Sequence, residues 1–520
     1  MPAKTVQTDD LPDDVEALKR LLAGQDRQIR HLQAQIDKLE EEKRKLLGRQ
    51  FGPSSEKALT PQMRLFNESE EIIEQEGCEA DEETVTVPEH KRRKSGRKLL
   101  PDHLPRVDIE HDLTDEEKVC ACGCQLTRIG EEVSEQLDII PAKIQVLRHI
   151  RPKYACKGCE ETMRTAPLPP QPIPKSNASP GLLSHIVVAK YQDALPLARQ
   201  EKQFARIGAE VTRATMARWM IQLGDLVLPL IQLLRERMLE YDYLGMDETR
   251  IQVLKEKDRI AESQSCVWAQ QGGPPDQPVV LFKYTTSKAA KVAETLLVGF
   301  AGFLQVDGNP TYDTLEKAHP EIRLVGCMAH ARRKFFEANK VQGKKQRAGK
   351  AQKGLSLIQK LYGIEQSIKA NSDDEKRQAR EGRAVPVLDE LHAWALKSVD
   401  EVPPTSLTGK ALHYLLEQWP KLIRYVEDGR LLIDNNATER AIRPFVIGRR
   451  NWLFADTPAG ATASANLYSL IETAKANGIE PYLYLRHLFK ELPAVQTVEQ
   501  LEALLPFNLN STSLAMDPAL

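Results

Sequence analysis

The stretch YDYLGMDETRIQVL, residues 241–254, alternates apolar and polar side chains with a period of two, which predicts a β-strand. The segments after it predict more elements of one domain. SCVWAQQ (265–271) and PVVLFKYTT (278–286) indicate strands, SKAAKVAETLLVGF (287–300) a helix, AGFLQVDGNPTYD (301–313) a strand ending at Asp307, and RLVGC (323–327) a strand leading into the helix MAHARRKFFEA (328–338).

This element order is typical of a ribonuclease-H-like fold: three strands, a helix, a fourth strand and then a fifth. Such an α/β domain has a central mixed sheet flanked by helices. We assign it residues 241–340 and 426–490. The segment between these two parts is helical and charged in pattern, so we interpret 341–425 as a helical insertion in the same domain.

Two aspartates mark neighbouring strands of this predicted sheet. Asp247 lies on the first strand and Asp307 ends the fourth. A third carboxylate, Glu439, lies in LLIDNNATERAIRP (431–444), where we expect a helix capped by Asp434. Most acidic residues are solvated surface groups, so none of these three indicates a site by itself. The prediction rests on the three together. Three converging carboxylates predict a site for two divalent ions, with Mg²⁺ or Mn²⁺ suited to oxygen ligands and phosphate.

Arginines flank Glu439, and such groups bind phosphate. Net charge is only −2, so composition alone does not indicate a nucleic-acid-binding protein. The basic residues are concentrated instead in HKRRKSGRK (90–98), in 331–350 and in GRRNW (448–452). We predict DNA contacts at Arg332, Arg333, Lys334, Arg440, Arg443, Arg449 and Arg450.

Residues 181–240 predict a small helical domain. Within it, ARQEKQFARIGAEVTRATMARWMIQLG suggests a helix, a turn at Gly208 and a second helix from Thr212. This arrangement is typical of a DNA-binding helix-turn-helix, with Arg213 and Arg218 as DNA contacts. An ordinary helical hairpin explains the pattern equally well.

Residues 11–50 carry a heptad repeat that predicts a leucine-zipper coiled coil and therefore a homo-oligomer. An amphipathic helix packed on its own domain is the alternative. Residues 51–106, first acidic and then basic with little apolar content, predict a partly disordered linker. The seam consists of Val15, Leu18, Leu22, Gln25, Ile29, Leu32, Ile36, Leu39, Lys43 and Leu46.

Five of the eight cysteines cluster in 107–166, which predicts a zinc-binding domain. They lie in VCACGCQL (119–126) and YACKGCE (154–160), and the segment between them alternates like strands of a hairpin. Two cysteine turns joined by a hairpin are typical of a zinc ribbon. Zinc needs four ligands, so four of five bind it: Cys120, Cys122, Cys124, Cys156 and Cys159.

The 520 residues are too many for one ordinary core and indicate several domains. We find no signal-peptide pattern and no apolar run long enough to span a membrane, so we expect a cytoplasmic, nucleoid-associated protein without a membrane partner. Residues 491–520 are interpreted as a C-terminal tail. Cys327 and His330 allow a metal site, although a packed cysteine and a structural or DNA-contacting histidine fit better; for Trp452 and Phe454 core packing fits better than base stacking.

Several long motifs resemble the large transposase subunit of the insertion sequence 66 family. They run in order over nearly the whole chain: FGPSSEK (51–57), GRKLLPDHLPR (96–106), the cysteine module with 129–156, MDET (246–249), QVDGNPTYD (305–313), GCMAHARRKFFE (326–337), DNNATERAIRP (434–444) and 447–478. The module departs from the family's opening CxxC-Gly, because Cys120 and Cys122 are separated by one residue.

The resemblance implies a DDE transposase with Asp247, Asp307 and Glu439 as its triad; Glu248 and Asp434 are the acids most easily mistaken for members. It also implies terminal inverted repeats and target DNA as partners, and accessory proteins of the same element. Two other functions stay open: a non-catalytic DNA-binding regulator derived from a transposase, and a coiled-coil adaptor. The sequence leaves open the DNA end sequence, the target preference, the oligomer size and a cut-and-paste or copying route.

Overall fold

The computed structural model describes residues 144–155, 163–340 and 349–510, with single positions 16, 19, 24, 25, 28, 32 and 514. The chain divides into two units, Met1–Gln62 with His149–Leu520, and Met63–Arg148. The predicted linker, all five module cysteines and most of the coiled coil lie outside the described residues. Of the coiled coil, the six described positions are helical and exposed.

A short antiparallel pair, β1 (Lys153–Ala155) and β2 (Met163–Thr165), begins the main described part of the chain. β1 ends directly before Cys156, and β2 begins four residues after Cys159. The hairpin predicted before Cys156 is wrong at 144–150, because these residues belong to no strand and are exposed. Val146 and Ile150, for example, are 92% and 75% exposed.

Four helices follow, as predicted for 181–240. α1 is Pro180–Tyr191, α2 is Leu197–Arg206, α3 is Arg213–Leu226 and α4 is Leu228–Leu239. The turn between α2 and α3 contains Gly208 at φ +83°, a backbone conformation that favours glycine. Thr212 caps α3, since its side chain accepts a hydrogen bond from the backbone N–H of Thr215.

A five-stranded mixed sheet forms the centre of the next domain. Its order is β5–β4–β3–β6–β7, with β3–β4 and β4–β5 antiparallel and β3–β6 and β6–β7 parallel. The strands are β3 (Tyr243–Gln252), β4 (Gln264–Gly272), β5 (Val279–Thr285), β6 (Gly302–Gln305) and β7 (Ile322–Val325). The expected order of strands along the chain is confirmed.

Helices connect and cover this sheet. α5 (Ala290–Leu296) joins β5 to β6, α6 (Pro310–Ala318) joins β6 to β7, and α7 (Met328–Lys340) follows β7. The strand predicted to end at Asp307 is two residues shorter, and a helix that was not predicted follows it. β6 stops at Gln305, and α6 begins at Pro310 behind the side-chain cap of Asn309.

The segment predicted as an insertion is helical where it is described. It contains α8 (Lys350–Ser367), α9 (Asp373–Ala379), a π-helical turn Arg380–Ala384, α10 (Val385–Val399) and α11 (Leu407–Leu422). With α7, these helices bury an apolar core of their own, in which Phe335, Leu361 and Leu391 are fully buried.

The chain then returns to the sheet through α12 (Asn436–Trp452), α13 (Pro458–Ala476) and α14 (Pro481–Glu491). α13 covers the edge strand β5, because the hydroxyls of Thr473 and Ser469 accept hydrogen bonds from the N–H groups of Val280 and Phe282.

The interpretation of 491–520 as a tail is wrong for its described residues. A short helix α15 (Val498–Glu502) follows α14, and Leu504, Leu505 and Leu514 are buried in the same core as the sheet. Burial of these leucines anchors the segment. Among the described helices none is alone long and apolar enough to cross a membrane; α3 and α4, bent by 48°, meet the length and composition criteria only as a pair.

Candidate active site

Asp247 and Asp307 lie at the same level of two adjacent parallel strands. Gly245 on β3 pairs with Gln305 on β6, and each aspartate follows two residues later. The backbone N–H of Glu248 donates to Oδ1 of Asp247 (2.8 Å), and the N–H of Asn309 donates to Oδ1 of Asp307 (2.9 Å). The strands therefore bring together the two aspartates that the sequence predicted as neighbours.

Glu439 joins them from the first turn of α12, where this residue is only 8% exposed. α12 approaches β3 closely because Gly245 has no side chain: a Cβ there would lie 2.1 Å from Oγ1 of Thr438. Asn435 fixes the start of the helix, since its Nδ2 donates to the carbonyl oxygen of Met246 (3.1 Å). Neither Gly245 nor Asn435 was predicted from the sequence; a glycine inside a strand is the signal that could have indicated close approach.

The buried position of Asp247 and the nearby acids together change its pKa. Burial raises it well above the ordinary value, and the charges of Asp307, Glu439 and Glu248 raise it further, in that order. A divalent cation would relieve this repulsion. Oε1 of Glu439 is buried, and no described residue supplies it with a hydrogen bond. Clustered carboxylate oxygens, one of them unpaired, fit a magnesium or manganese ion.

Glu248 faces away from this cluster, because successive side chains of a strand point to opposite faces of the sheet. Its carboxylate accepts hydrogen bonds from Nδ2 of Asn309 and from the hydroxyl of Tyr312 (2.8 Å) at α6. Burial, followed by the charge of Asp307, raises the pKa of Glu248. Glu248 therefore ties α6, and with it the loop carrying Asp307, to β3.

Replacing Glu248 by alanine should lower the free energy of unfolding by about 1–3 kcal/mol, because Tyr312 and Asn309 would lose their acceptor in a buried region. Tyr312 is 0% exposed. Urea denaturation of Glu248→Ala beside Glu262→Ala, at an exposed position, would measure the difference. Equal stability of the two variants would contradict this role.

Asp434 also has partners of its own. Its carboxylate accepts hydrogen bonds from the backbone N–H of Asn436 (3.2 Å) and from the hydroxyl of Tyr362 on α8 (2.8 Å). The prediction that Asp434 caps the helix is wrong by one position, because the N-cap is Asn435. Asp434 lies just before it and links α12 to the insertion.

The insertion reaches the site at a second point. Tyr414 of α11 packs against Gly308, next to Asp307, so closely that a Cβ on Gly308 would lie 2.6 Å from the tyrosine hydroxyl. Lys334 of α7 places its Nζ 4.6 Å from the centre of the Tyr414 ring. Insertion helices thus support the loop that carries the second aspartate.

The predicted DNA contacts differ in exposure. Arg213, Arg218, Arg440 and Arg450 are exposed. Arg449 is half-buried, and its Nη1 donates to Oγ1 of Thr249 on β3 (3.1 Å). Burial, and then the charge of Arg450, lower its pKa to about 10. Arg332, Arg333, Lys334 and Arg443 are also partly buried. The roles of all nine in DNA binding stay predictions.

Two further pairs of residues had been given possible roles from the sequence: Trp452 with Phe454, and Cys327 with His330. Trp452 packs on Phe445 with ring centres 5.6 Å apart, which confirms its core role, whereas Phe454 is 42% exposed. Cys327 and His330 lie at the junction of β7 and α7, and their ligand atoms come within 4.8 Å of each other and of a Glu439 oxygen. Burial, and then the charges of Glu439 and Asp434, raise the pKa of the Cys327 thiol well above its usual value.

Comparisons with known proteins place the chain among the transposases. The model of the Transposase IS66 family matches residues 175–463, and that of the IS66 C-terminal element matches 469–507. The zinc-finger binding domain of transposase IS66 matches 117–160, and the family described as Transposase C of IS166 homeodomain matches 38–109. The chain belongs to the IS66 transposase family, with N-terminal helical and zinc-finger regions and a mixed α/β core domain.

Similar proteins come from Sinorhizobium fredii (strain NBRC 101917 / NGR234). Uncharacterized protein y4jD is 34% identical over 425 residues, covering 79% of this chain and 81% of the relative. Uncharacterized protein y4qI is 30% identical over 540 residues, covering 97% and 99% of the two chains. The likeness to y4qI therefore extends over nearly the full length of both proteins.

Proposed function

We propose that this protein is a DDE transposase that cleaves and joins DNA at the ends of a bacterial insertion sequence. Its α/β domain is proposed to be ribonuclease-H-like, on the strength of the β5–β4–β3–β6–β7 order. The observation that carries the proposal is the convergence of Asp247, Asp307 and Glu439. Burial, and then the charges of Asp307 and Glu439, raise the pKa of Asp247.

In the proposed mechanism the three carboxylates would be the metal ligands. Bound Mg²⁺ or Mn²⁺ would supply Lewis acidity for the attacking and leaving oxygens. Asp247 is held by β3, Asp307 by the loop that follows the parallel strand β6, and Glu439 by a helix anchored through Asn435. Such pre-positioning favours in-line attack, first by water and then by a 3′ hydroxyl, on a phosphodiester. The exposed Arg440 and Arg450 would bind backbone phosphates.

The remaining domains are proposed to recognise DNA and to pair subunits. α2 and α3 would act as a helix-turn-helix with Arg213 and Arg218 toward DNA. The cysteine module at 107–166, holding Zn²⁺, would help read the terminal inverted repeats. The coiled coil at 11–50 would pair two chains. Accessory proteins of the same element are proposed partners, and the bacterial nucleoid is the proposed location.

The direct test uses labelled DNA that carries the element's own end. With Mg²⁺ or Mn²⁺ we expect cleavage at that end; with Ca²⁺, whose coordination is larger and looser, we expect binding without cleavage. If accessory proteins are needed, cleavage should begin when the element's companion proteins are added. Binding without cleavage in every mixture would contradict the enzyme and support a DNA-binding regulator.

A further inference from the structure

Three potential metal ligands converge near the start of α12. Cys327 lies between β7 and α7, His330 lies in the first turn of α7, and Glu439 lies in the first turn of α12. Sγ of Cys327, a ring nitrogen of His330 and a carboxylate oxygen of Glu439 all lie within 4.8 Å of one another. Nδ1 of His330 is 3.6 Å from Oε1 of Glu439.

Two of these atoms are buried and lack a hydrogen-bond partner among the described residues: Nδ1 of His330 and Oε1 of Glu439. The Glu439 side chain is nine-tenths buried, with 10% of it exposed. An unpaired buried polar atom lowers the stability of the fold, because it has lost its hydrogen bonds to water. A proton shared between the histidine and the carboxylate would pair these two atoms without involving the thiol beside them. A bound cation would satisfy all three at once.

The ligand types decide which cation fits. Magnesium prefers oxygen ligands and does not suit a thiolate, whereas zinc and cobalt accept cysteine, histidine and carboxylate together. A second carboxylate, Asp434, is close enough for its charge to act on Cys327, which adds to the attraction for a positive ion. The backbone N–H of Asn435 donates to Sγ of Cys327 (3.2 Å) and orients the sulfur.

We propose that Cys327, His330 and Glu439 bind one divalent ion of the zinc class, at a site distinct from the cysteine module. Binding releases the thiol proton to solvent. The site shares Glu439 with the proposed catalytic triad, so zinc competes with magnesium for this carboxylate. Inhibition of DNA cleavage by zinc is therefore an expected consequence, and only that consequence rests on the proposed function.

The binding test uses the full-length protein, dialysed against buffered Zn²⁺ at low micromolar concentration and analysed for bound metal. We expect wild type to hold one zinc per chain more than Cys327→Ser. The matched control is Cys266→Ser, which changes the other described buried free cysteine and should hold as much zinc as wild type. Glu439→Gln should lower the affinity for this zinc ion by at least roughly 10–100-fold. Replacing a residue that only supports a metal ligand already lowers the affinity by about that factor.

The absorption spectrum of bound Co²⁺ reports whether Cys327 is a ligand, without any enzymatic assay. Wild type loaded with Co²⁺ should show more thiolate-to-cobalt absorption than Cys327→Ser, and the difference should be missing from Cys266→Ser. His330→Gln changes a partly exposed position and should lower the affinity for the same ion. Equal metal content and equal cobalt spectra for wild type, Cys327→Ser and His330→Gln would overturn the proposal, whatever the cleavage assay gives.

The inhibition test compares each protein with its own zinc-free rate. Zinc at low micromolar concentration should inhibit cleavage by wild type in the presence of Mg²⁺, and His330→Gln should need at least about 10 times more zinc for the same inhibition. An identical zinc response in both proteins would mean that zinc acts elsewhere, for example by replacing magnesium at the triad, and would contradict competition through this site.

Discussion

Asp247→Asn should abolish DNA strand cleavage while DNA binding is retained. The charges of both Asp307 and Glu439 act on Asp247, so its replacement takes away one ligand of the proposed metal site. A bound metal contributes several kcal/mol of transition-state stabilisation, which corresponds to a loss of about 10³-fold or more in rate. Gel shift and cleavage of the same labelled DNA would measure binding and rate together.

The same substitution has an expected effect on stability, independent of any DNA. The pKa of Asp247 is raised in the folded protein, so its ionised form is disfavoured by folding. Its protonated form stabilises the fold fully only below the ordinary aspartate pKa, and this contribution is lost as pH rises. At pH 7 without divalent ions, Asp247→Asn should therefore be more stable than wild type. The difference should shrink as pH falls toward about 4.

Added Mn²⁺ should reverse this order. It should stabilise wild type, by about 2.7 kcal/mol when the ion is at 100 times its dissociation constant, and leave Asp247→Asn nearly unchanged. Asp276→Asn, at an exposed position, is the control and should behave as wild type. Equal responses to Mn²⁺ in Asp247→Asn and wild type would contradict a metal site at this aspartate.

Gly245→Ala adds one methyl group, and we expect it to be the most damaging substitution of this kind near the site. The new Cβ would lie 2.1 Å from Oγ1 of Thr438 and 3.2 Å from Oδ1 of Asn435. α12 must then move away from β3, and Glu439 moves with it. We expect a loss of about 1–3 kcal/mol in stability from overpacking, and about 10²-fold in cleavage rate from misplacement of the carboxylate by about 1 Å.

A second substitution tests whether the contact itself is responsible. Thr438→Ala removes the oxygen that the new methyl group meets, so Gly245→Ala/Thr438→Ala should recover part of both stability and cleavage. Gly363→Ala, where a Cβ would meet nothing within 4 Å, is the control and should be harmless. If the double variant cleaves no better than Gly245→Ala, the close approach of α12 to β3 is not what positions Glu439.

The order of strands could be predicted because each strand carries its own pattern. β3, β4 and β5 have the alternating or apolar runs of strands, and parallel pairing of β3 with β6 follows from the order of elements. α6 was missed although its signals were present, since Asn309 caps it and Pro310 begins it. The strand was predicted to end at Asp307, but the helix start that follows at Pro310 was not recognised.

Contacts between distant segments could not be predicted in the same way. The space opposite Gly245 depends on which residue of α12 lies there, and the partners of Glu248 depend on a helix that had been missed. The leucines after residue 500 gave too short a pattern to indicate burial, so a tail was predicted where Leu504 and Leu505 join the core. Likewise, the three ligands at Cys327, His330 and Glu439 belong to segments about 110 residues apart and meet only in the fold.

Cleavage of DNA carrying the element's end, by wild type, Glu439→Gln and Glu472→Gln, tests the catalytic triad most directly. Glu472 is a matched control, because it is a glutamate with 7% exposure against 8% for Glu439, paired with Lys475 on α13. We predict cleavage by wild type and Glu472→Gln in Mg²⁺, with DNA binding but no cleavage by Glu439→Gln. Equal cleavage by wild type and Glu439→Gln would contradict the assignment of Glu439 to the site.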